Sequence, residues 1–405
     1  MVLMLKFSMR NVALILGFYS VFLLPASLSK LISGGTTFSS GLILSLVIFF
    51  VLASPFGIRY YISSRIILTN FLLASLILIL YFISSIIFLE VDNMRFLLSL
   101  VLIFLMSFAA VPFITTLDLL KDELFHKIII FAYYFLLFIG FIASLRMFIY
   151  GNADKDMIIY SEPSYYAIIF IPLLFYAAYT SNKKLYAFLH VLSAIVIAIV
   201  VQNLTLLVGC LMITFVLYGT RLSSLFFIFI FLTFMAFFLN LDYFLVRISI
   251  FSGSHNPSLL AYLSGWERAY LSFTSSYGFG LGFQQLGIVG PQGDIQVLLQ
   301  DVVGTNVVLL KGGGSLGSKV IAEMGLLGLI FVLFYIYFAI KILLKIMLRQ
   351  IKGSKNIFFL GIYLFFSIEF FVRGMGYFSL LSFMFISSLY WIYRSRVLQP
   401  HSSLI

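Results

Sequence analysis

The chain holds one cysteine, Cys210, and it sits inside an apolar run. No intrachain disulfide can form, and no cysteine-based metal site can be built. Charge is scarce as well. Only 10% of the residues are charged, against 63% hydrophobic, and the mean hydropathy is +1.16. A soluble domain of 405 residues needs far more charge to cover its surface. The apolar–polar alternation of a membrane β-barrel is missing too. In its place, hydrophobic runs of about eighteen residues or more recur from one end to the other, each long enough to span roughly 30 Å of hydrocarbon as a helix. Backbone amides in lipid must be satisfied internally, so these runs must be helical.

The runs place spans near 11–28, 37–55, 66–89, 96–117, 126–149, 164–181, 185–201, 204–220, 223–240, 319–347, 356–372 and 375–393. The expectation is an all-α polytopic membrane protein with about twelve transmembrane helices, organised as a single membrane domain over 1–405. Pro25 to Ser27 follow the first span as they would follow a signal peptide, but that span is longer than a signal h-region, so it is read as retained. With the N-terminus inside, one face holds Lys6, Arg10, Arg59, Arg65, Lys121, Lys127, Lys183, Lys184, Arg221, Lys341, Lys345, Arg349, Lys352, Lys355, Arg394 and Arg396. That is most of the 25 basic residues, beside only Asp118, Asp122 and Glu123 of the 14 acidic ones. Basic segments stay cytoplasmic, so both termini are expected there. The net charge of +11 is then orientation and contact with membrane lipids, with no nucleic-acid partner.

One connection is long. Residues 241–318 form a loop on the non-cytoplasmic face, between the ninth and tenth spans, and long loops of this kind are usually functional. Within it, Asn256 and Pro257 read as N-cap and first helical residue of an amphipathic helix near 257–275. Leu259, Leu263, Trp266, Tyr270 and Phe273 recur at helical spacing, which puts Trp266 at headgroup depth. Ala261, Ser264, Arg268, Ser272 and Ser275 make a strip of small residues around one guanidinium. Such an arginine either receives a bulky anion in its fork or snorkels to headgroups. The run Ser276 to Gly282 alternates glycines, which permits a tight turn. Lys311 to Lys319 (KGGGSLGSK) has Ser318 where a phosphate loop needs Lys, and it reads as a flexible segment leading into the tenth span.

The remaining ionisable residues sit at the ends of spans. Lys319 and Glu323 are one helical turn apart, and Glu369 precedes Arg373 by the same spacing, which suggests an ion pair at each place. Arg146 and Arg247 bring further cations to the same level. Glu162 and Pro163 suit a helix start, with Tyr165 and Tyr166 just inside. The functional reading makes Glu162 a base or sugar-hydroxyl acceptor and the tyrosines stacking surfaces. His255 is the one histidine in the long loop, either a solvated residue before the cap or a catalytic one.

Three stretches carry a family likeness: SEPSYYA (161–167), WERAYLSFTSSYGFGLGF (266–283) and GSLGSKVIAEMGLLGL (314–329). In order, they resemble the acid-Pro-Ser element, the Arg helix with its Gly-rich turn, and the Glu-x-Gly opening of the next span in Wzy-type O-antigen polymerases, within the group that also includes O-antigen ligases. The resemblance implies a fold like that of C-type glycosyltransferases and an inverting, metal-independent enzyme of lipopolysaccharide biosynthesis without cofactor. It implies a bacterial inner-membrane location and a periplasmic active site. The substrate would be an oligosaccharide linked to undecaprenyl pyrophosphate, and a chain-length regulator protein would be a partner. By resemblance, Arg268 binds pyrophosphate with Arg247, Lys319 and Arg373 in support. Glu162 serves the acceptor, with Glu323 as the alternative, and Tyr165, Tyr166 and His255 face the glycan. An O-antigen ligase remains the alternative, although ligases carry a His-Asn pair just before the Glu-x-Gly opening, where Gly314 to Lys319 has none. A flippase or other transporter would show related halves and a charged central path, which this chain lacks.

Overall fold

The computed structural model describes residues 9–33, 38–53, 64–88, 91–150, 157–219, 256–304 and 312–395. These residues form helices joined by turns, without a strand, apart from isolated bridges at Met157–Tyr160 and Leu286–Val289. The helices are α1 (Met9–Ser33), α2 (Phe38–Ala53), α3 (Ser64–Ile87), α4 (Asn93–Asp118), α5 (Asp122–Tyr150), α6 (Pro163–Thr180), α7 (Lys184–Val200) and α8 (Leu204–Tyr218). After them come α9 (Pro257–Ser275), α10 (Asp294–Val303), α11 (Leu316–Met347), α12 (Ser354–Phe371) and α13 (Leu380–Ser395). Seven of these, α1, α3, α4, α5, α6, α11 and α12, are long and apolar enough to cross a membrane, and α2, α7 and α8 are shorter apolar helices. The expected all-helical, polytopic membrane architecture is present. Eleven of the expected spans coincide with helices; the one at 223–240 lies outside the described residues.

Polar contacts between helix termini fix which way each element runs. At one end, called the basic end, Lys355 at the start of α12 donates to the Asp118 carbonyl at 3.1 Å, and Arg394 near the end of α13 lies 2.6 Å from the Asp118 carboxylate. Tyr179 near the end of α6 donates to Ile346 near the end of α11. At the opposite, loop end, Lys30 of α1 donates to Ile158 at 2.8 Å, Asn203 before α8 donates to Pro163, and Arg373 after α12 meets Glu162. Met9 and Ser395, the first and last described residues, therefore share the basic end. Gly219, in van der Waals range of Met347 if given a Cβ, also lies there, whereas α9 packs on the start of α11 at the loop end.

Burial ranks the helices. In α6 and in α12, 72% of the most apolar window is enclosed, against 33% for α3 and 22% for α11. Thus α6 and α12 are central and α3 and α11 peripheral. The centre is an aromatic core in which Phe18, Phe113, Phe125, Phe170, Phe175 and Phe358 are wholly buried. Asn70 of α3, Ser107 of α4 and Tyr390 of α13 hydrogen bond to one another at 2.5 to 3.2 Å, a polar tie for the peripheral α3.

The decisive local feature is a break in α11. Gly325 adopts φ 56°, ψ −129°, a conformation open to glycine and strained for any residue with a Cβ. The break frees the carbonyls of Ala322 and Glu323, which would otherwise stay unsatisfied in an apolar setting. The Gly-rich turn after α9 supplies the partners. Leu281 N donates to Ala322 O and Gly282 N to Glu323 O, both at 2.9 Å, and Leu326 N donates to Gly278 O at 2.7 Å. A chain segment from the long loop is thereby stitched into the broken helix, and this positions the polar cluster described next.

Candidate functional site

Glu323 lies just before the break and is wholly buried. Its Oε2 accepts the Gln284 N–H at 2.9 Å and its Oε1 the Leu286 N–H at 3.2 Å. Lys319, one turn earlier and 4% exposed, brings its Nζ to 3.9 Å from Glu323 and donates to Gln284 Oε1 at 3.1 Å. The same Gln284 oxygen accepts from Arg95 Nη2 of α4, also at 3.1 Å. Arg268, buried on α9, interacts electrostatically with Glu323, Glu267 and Lys319. Among the described residues, three cations thus converge on one carboxylate. Arg95 Nη1 is buried there without a hydrogen-bond partner among the described residues. A buried guanidinium donor left unpaired is costly, and an anion in the site removes that cost.

The surroundings hold these groups in place. Asp92 caps α4 by accepting the Arg95 N–H at 2.9 Å, and its backbone exchanges hydrogen bonds with the Gln285 amide. Glu267 accepts the Ile295 N–H, a carboxylate at the N-terminus of α10 that pins this short helix to α9. Burial pulls the Arg268 guanidinium down to about 10, with Glu323 and then Glu267 opposing, so it stays charged at neutral pH. The Tyr377 ring lies 5.2 Å from Lys319 Nζ. Beneath the cluster is an apolar cavity of about 640 Å3 between α3, α4, α11, α12 and α13. Phe283, Val320, Met324 and Tyr377 line its top, next to Gln284, Lys319 and Glu323, and Asn70, Ser107 and Tyr390 also line it.

A second pair lies nearby. Arg373 Nη2 is 3.2 Å from Glu162 Oε2, and both side chains are partly exposed. This differs from the expected Glu369–Arg373 pair. Glu369 is wholly buried and accepts from Ser379 Oγ at 2.8 Å and Met375 N at 3.3 Å, while the chain turns out of α12 before Arg373 and carries that side chain to Glu162. The second pair is joined to the cluster by backbone: Gly374 N donates to Gly314 O, close to the start of α11.

The expected site residues therefore separate into groups. Arg268, Lys319 and Glu323 come together, Glu162 and Arg373 form their own pair, and Arg247 and His255 lie outside the described residues. Tyr165 is half-buried. Tyr166 is wholly buried, with its hydroxyl spent on the Leu136 carbonyl at 3.0 Å, so its ring packs the core between Tyr160 and Phe170 and presents no open stacking face. The small-residue strip of α9 is closed as well, except at Ser275, which is exposed. Gly265 faces the start of α11, where a Cβ on it would meet Gly313 O at 1.8 Å, and a Cβ on Gly314 would meet Ala261 O at 2.4 Å. Ala261, Ser264 and Ser272 are thus on a packing surface, and Arg268, buried among them, interacts with Glu323. Nor is the 312–316 segment a loose connection. Ser315 caps α11 and Ser318 Oγ donates to Gly313 O at 2.6 Å. Sequence reasoning missed Arg95, Gln284, Gln285 and Tyr377. The available signals were a basic residue three positions after an Asp cap and two adjacent glutamines directly after the Gly-rich turn.

Comparison with protein-family models, with curated proteins and with solved structures finds no match to this chain.

Proposed function

We propose that this chain is a Wzy-type O-antigen polymerase, an inverting, metal-independent glycosyltransferase of the bacterial inner membrane whose site opens to the periplasm. The observation that carries the reading is the convergence of Arg95, Arg268 and Lys319 on one carboxylate at the head of an apolar cavity. A cationic head site over an apolar cavity of this size suits an amphiphile with an anionic headgroup and a long apolar chain. Undecaprenyl pyrophosphate bearing an oligosaccharide has that chemistry.

In the proposed reaction a hydroxyl of the incoming repeat unit attacks the anomeric carbon of the lipid-linked chain from the face opposite the pyrophosphate. The new carbon–oxygen bond forms as the bond to the pyrophosphate oxygen breaks, so the configuration inverts. The pyrophosphate departs with the bonding pair, and the two arginines and Lys319 stabilise the developing charge. The hydroxyl proton passes to a base on the acceptor side. Glu162 is assigned there because its carboxylate is partly exposed beside Arg373, whereas both oxygens of Glu323 already accept backbone amides. Glu323 is then a positioning residue that fixes Gln284 and through it the cations.

Deletion of the gene, with lipopolysaccharide run on a gel, tests the reading. The expected product is core bearing a single repeat unit, restored to a ladder by the wild-type gene. Loss of all attached O-antigen would point to the ligase reaction instead, and an unchanged ladder would overturn both.

A further inference from the structure

The cluster and its cavity leave one feature of the long loop without a role. The Gly-rich turn is fixed from several sides. Ser276 Oγ accepts the Gly280 N–H at 2.7 Å, Gly278 N donates to Phe273 O at 2.8 Å, and Ser84 at the end of α3 donates to Leu281 O. Yet the tip of this rigid turn presents two large rings outward, Tyr277 at 86% exposure and Phe279 at 45%. Tyr277 also sits at φ 55°, a left-handed conformation that a bulky side chain adopts at a cost and that glycine would adopt freely. An exposed ring held in strained backbone on a pinned turn is not explained by packing inside the protein.

Its surroundings say what covers it. Gly278 O is bonded to Leu326 N, and Leu326 is where the apolar side of α11 becomes exposed. Before the break, Leu316, Val320, Ala322 and Glu323 are buried; after it, Leu326, Ile330, Leu333, Phe334 and Tyr337 are open. From Leu326 to the helix end at Met347 the rise is about 32 Å at 1.5 Å per residue, close to the roughly 30 Å of a bilayer's hydrocarbon. Lys341 and Lys345, in the last two turns, lie within snorkelling reach of the headgroups. The bonded position thus marks the edge of the apolar layer at the loop end. On the other side, Ser84 ties the turn to α3, whose Phe82 and Ile86 are exposed at the same end. The tip is flanked on both sides by lipid-facing surface and is continuous with it.

We propose that Tyr277 and Phe279 form an anchor seated in the interfacial layer of the bilayer, between the loop-end parts of α3 and α11. The partner is the lipid of that leaflet. Tyr277 presents a ring to the acyl boundary and a hydroxyl to the headgroups, the placement that enriches tyrosine at membrane interfaces. The anchor sets the depth of the neighbouring polar cluster, because the backbone that carries Tyr277 and Phe279 continues directly into Gln284. A lipid-borne anion then meets Arg95 and Lys319 without leaving the plane of the membrane. The inference does not depend on the polymerase reading, since any anionic lipid head would be met at the same depth.

The test uses the full chain in phosphatidylcholine–phosphatidylglycerol vesicles, with an environment-sensitive fluorophore on Tyr277→Cys and, separately, on Phe279→Cys. Cys210 is buried and is not labelled. Gln292→Cys, at an exposed loop residue, is the aqueous control. Nitroxide lipids labelled near the headgroup should quench both tip positions at least twofold more than lipids labelled deep in the chain. Aqueous iodide should quench them at least threefold less than Gln292→Cys. Adding Tyr277→Gly to the Phe279→Cys protein should raise its thermal midpoint in detergent, because strain is removed, and raise its iodide quenching in vesicles. Iodide quenching at the tip equal to that at Gln292→Cys in both labelled proteins would overturn the proposal. So would a Tyr277→Gly change that leaves the Phe279→Cys quenching unaltered.

Discussion

At the scale of single residues, the cluster separates groups that would hold an anion from groups that hold the cluster. Arg268→Gln removes a buried charge near Glu323 and keeps much of the volume. If three cations share the departing pyrophosphate, its loss should cost about 100-fold or more in polymerisation, as removal of one oxyanion donor does. Arg268→Lys should recover only part of that, because an ammonium lacks the planar fork. The ladder length and the rate of chain extension by purified protein check both, and full activity in Arg268→Gln would remove Arg268 from the mechanism. Glu323→Gln should act differently. A carboxamide can accept one of the two amide N–H groups now bound by Glu323, but it turns its own N–H2 toward the other. Leaving that buried donor unmet costs about 1–3 kcal/mol, so the variant should melt earlier in detergent, with Glu323→Asp in between. These residue types and their one-turn spacing were legible in the sequence. Their partners were not: Gln284 reaches Glu323 and Lys319 across a sequence gap that hydropathy does not bridge, and Arg95 comes from a helix more distant still.

At the scale of elements, the helices were legible because hydrocarbon-length apolar runs leave the backbone little choice. The amphipathic helix was legible too, and it forms at Pro257–Ser275 with Asn256 accepting the Ser258 N–H as its cap. The break in α11 was not. Glycines at 325 and 328 within an apolar run read as ordinary transmembrane helix, and only the return of the 278–282 backbone makes a break favourable by pairing the freed carbonyls. Gly325→Ala tests this coupling. The native φ and ψ are strained by about 1–3 kcal/mol for a residue with a Cβ, and that Cβ would also meet Gly278 O at 2.0 Å. The variant should lower the thermal midpoint by several degrees and loosen the turn, read as faster hydrogen exchange at Leu281 and Gly282. Gly312→Ala, where a Cβ meets nothing within 4 Å, is the control and should melt as the wild type does. Equal midpoints for the two variants would show that the break is not held by the turn.

At the scale of the whole molecule, the charge asymmetry seen in the sequence has a structural counterpart. The end where α11 finishes carries Lys341, Lys345, Arg349 and Lys352, and Lys355 and Arg394 are drawn to Asp118 beside them. The opposite end carries Asp92, Glu162, Glu267, Asp294 and Asp301 among its charges. Each Lys or Arg near an anionic leaflet is worth about 1 kcal/mol, so several together outweigh thermal energy and select one orientation. Met9 and Ser395 lie at that basic end. The described residues that bracket the expected span at 223–240, Gly219 and Asn256, stand at opposite ends of the bundle. Both termini should therefore face the cytoplasm. Alkaline phosphatase, active only outside the cytoplasm, should be inactive when fused after Ser395 and active when inserted after Gly304, an exposed position at the loop end. A green fluorescent protein fusion should show the reverse. Phosphatase activity at Ser395 would place the basic end outside, and the cation cluster would then face the cytoplasm, the wrong side for a periplasmic polymerase.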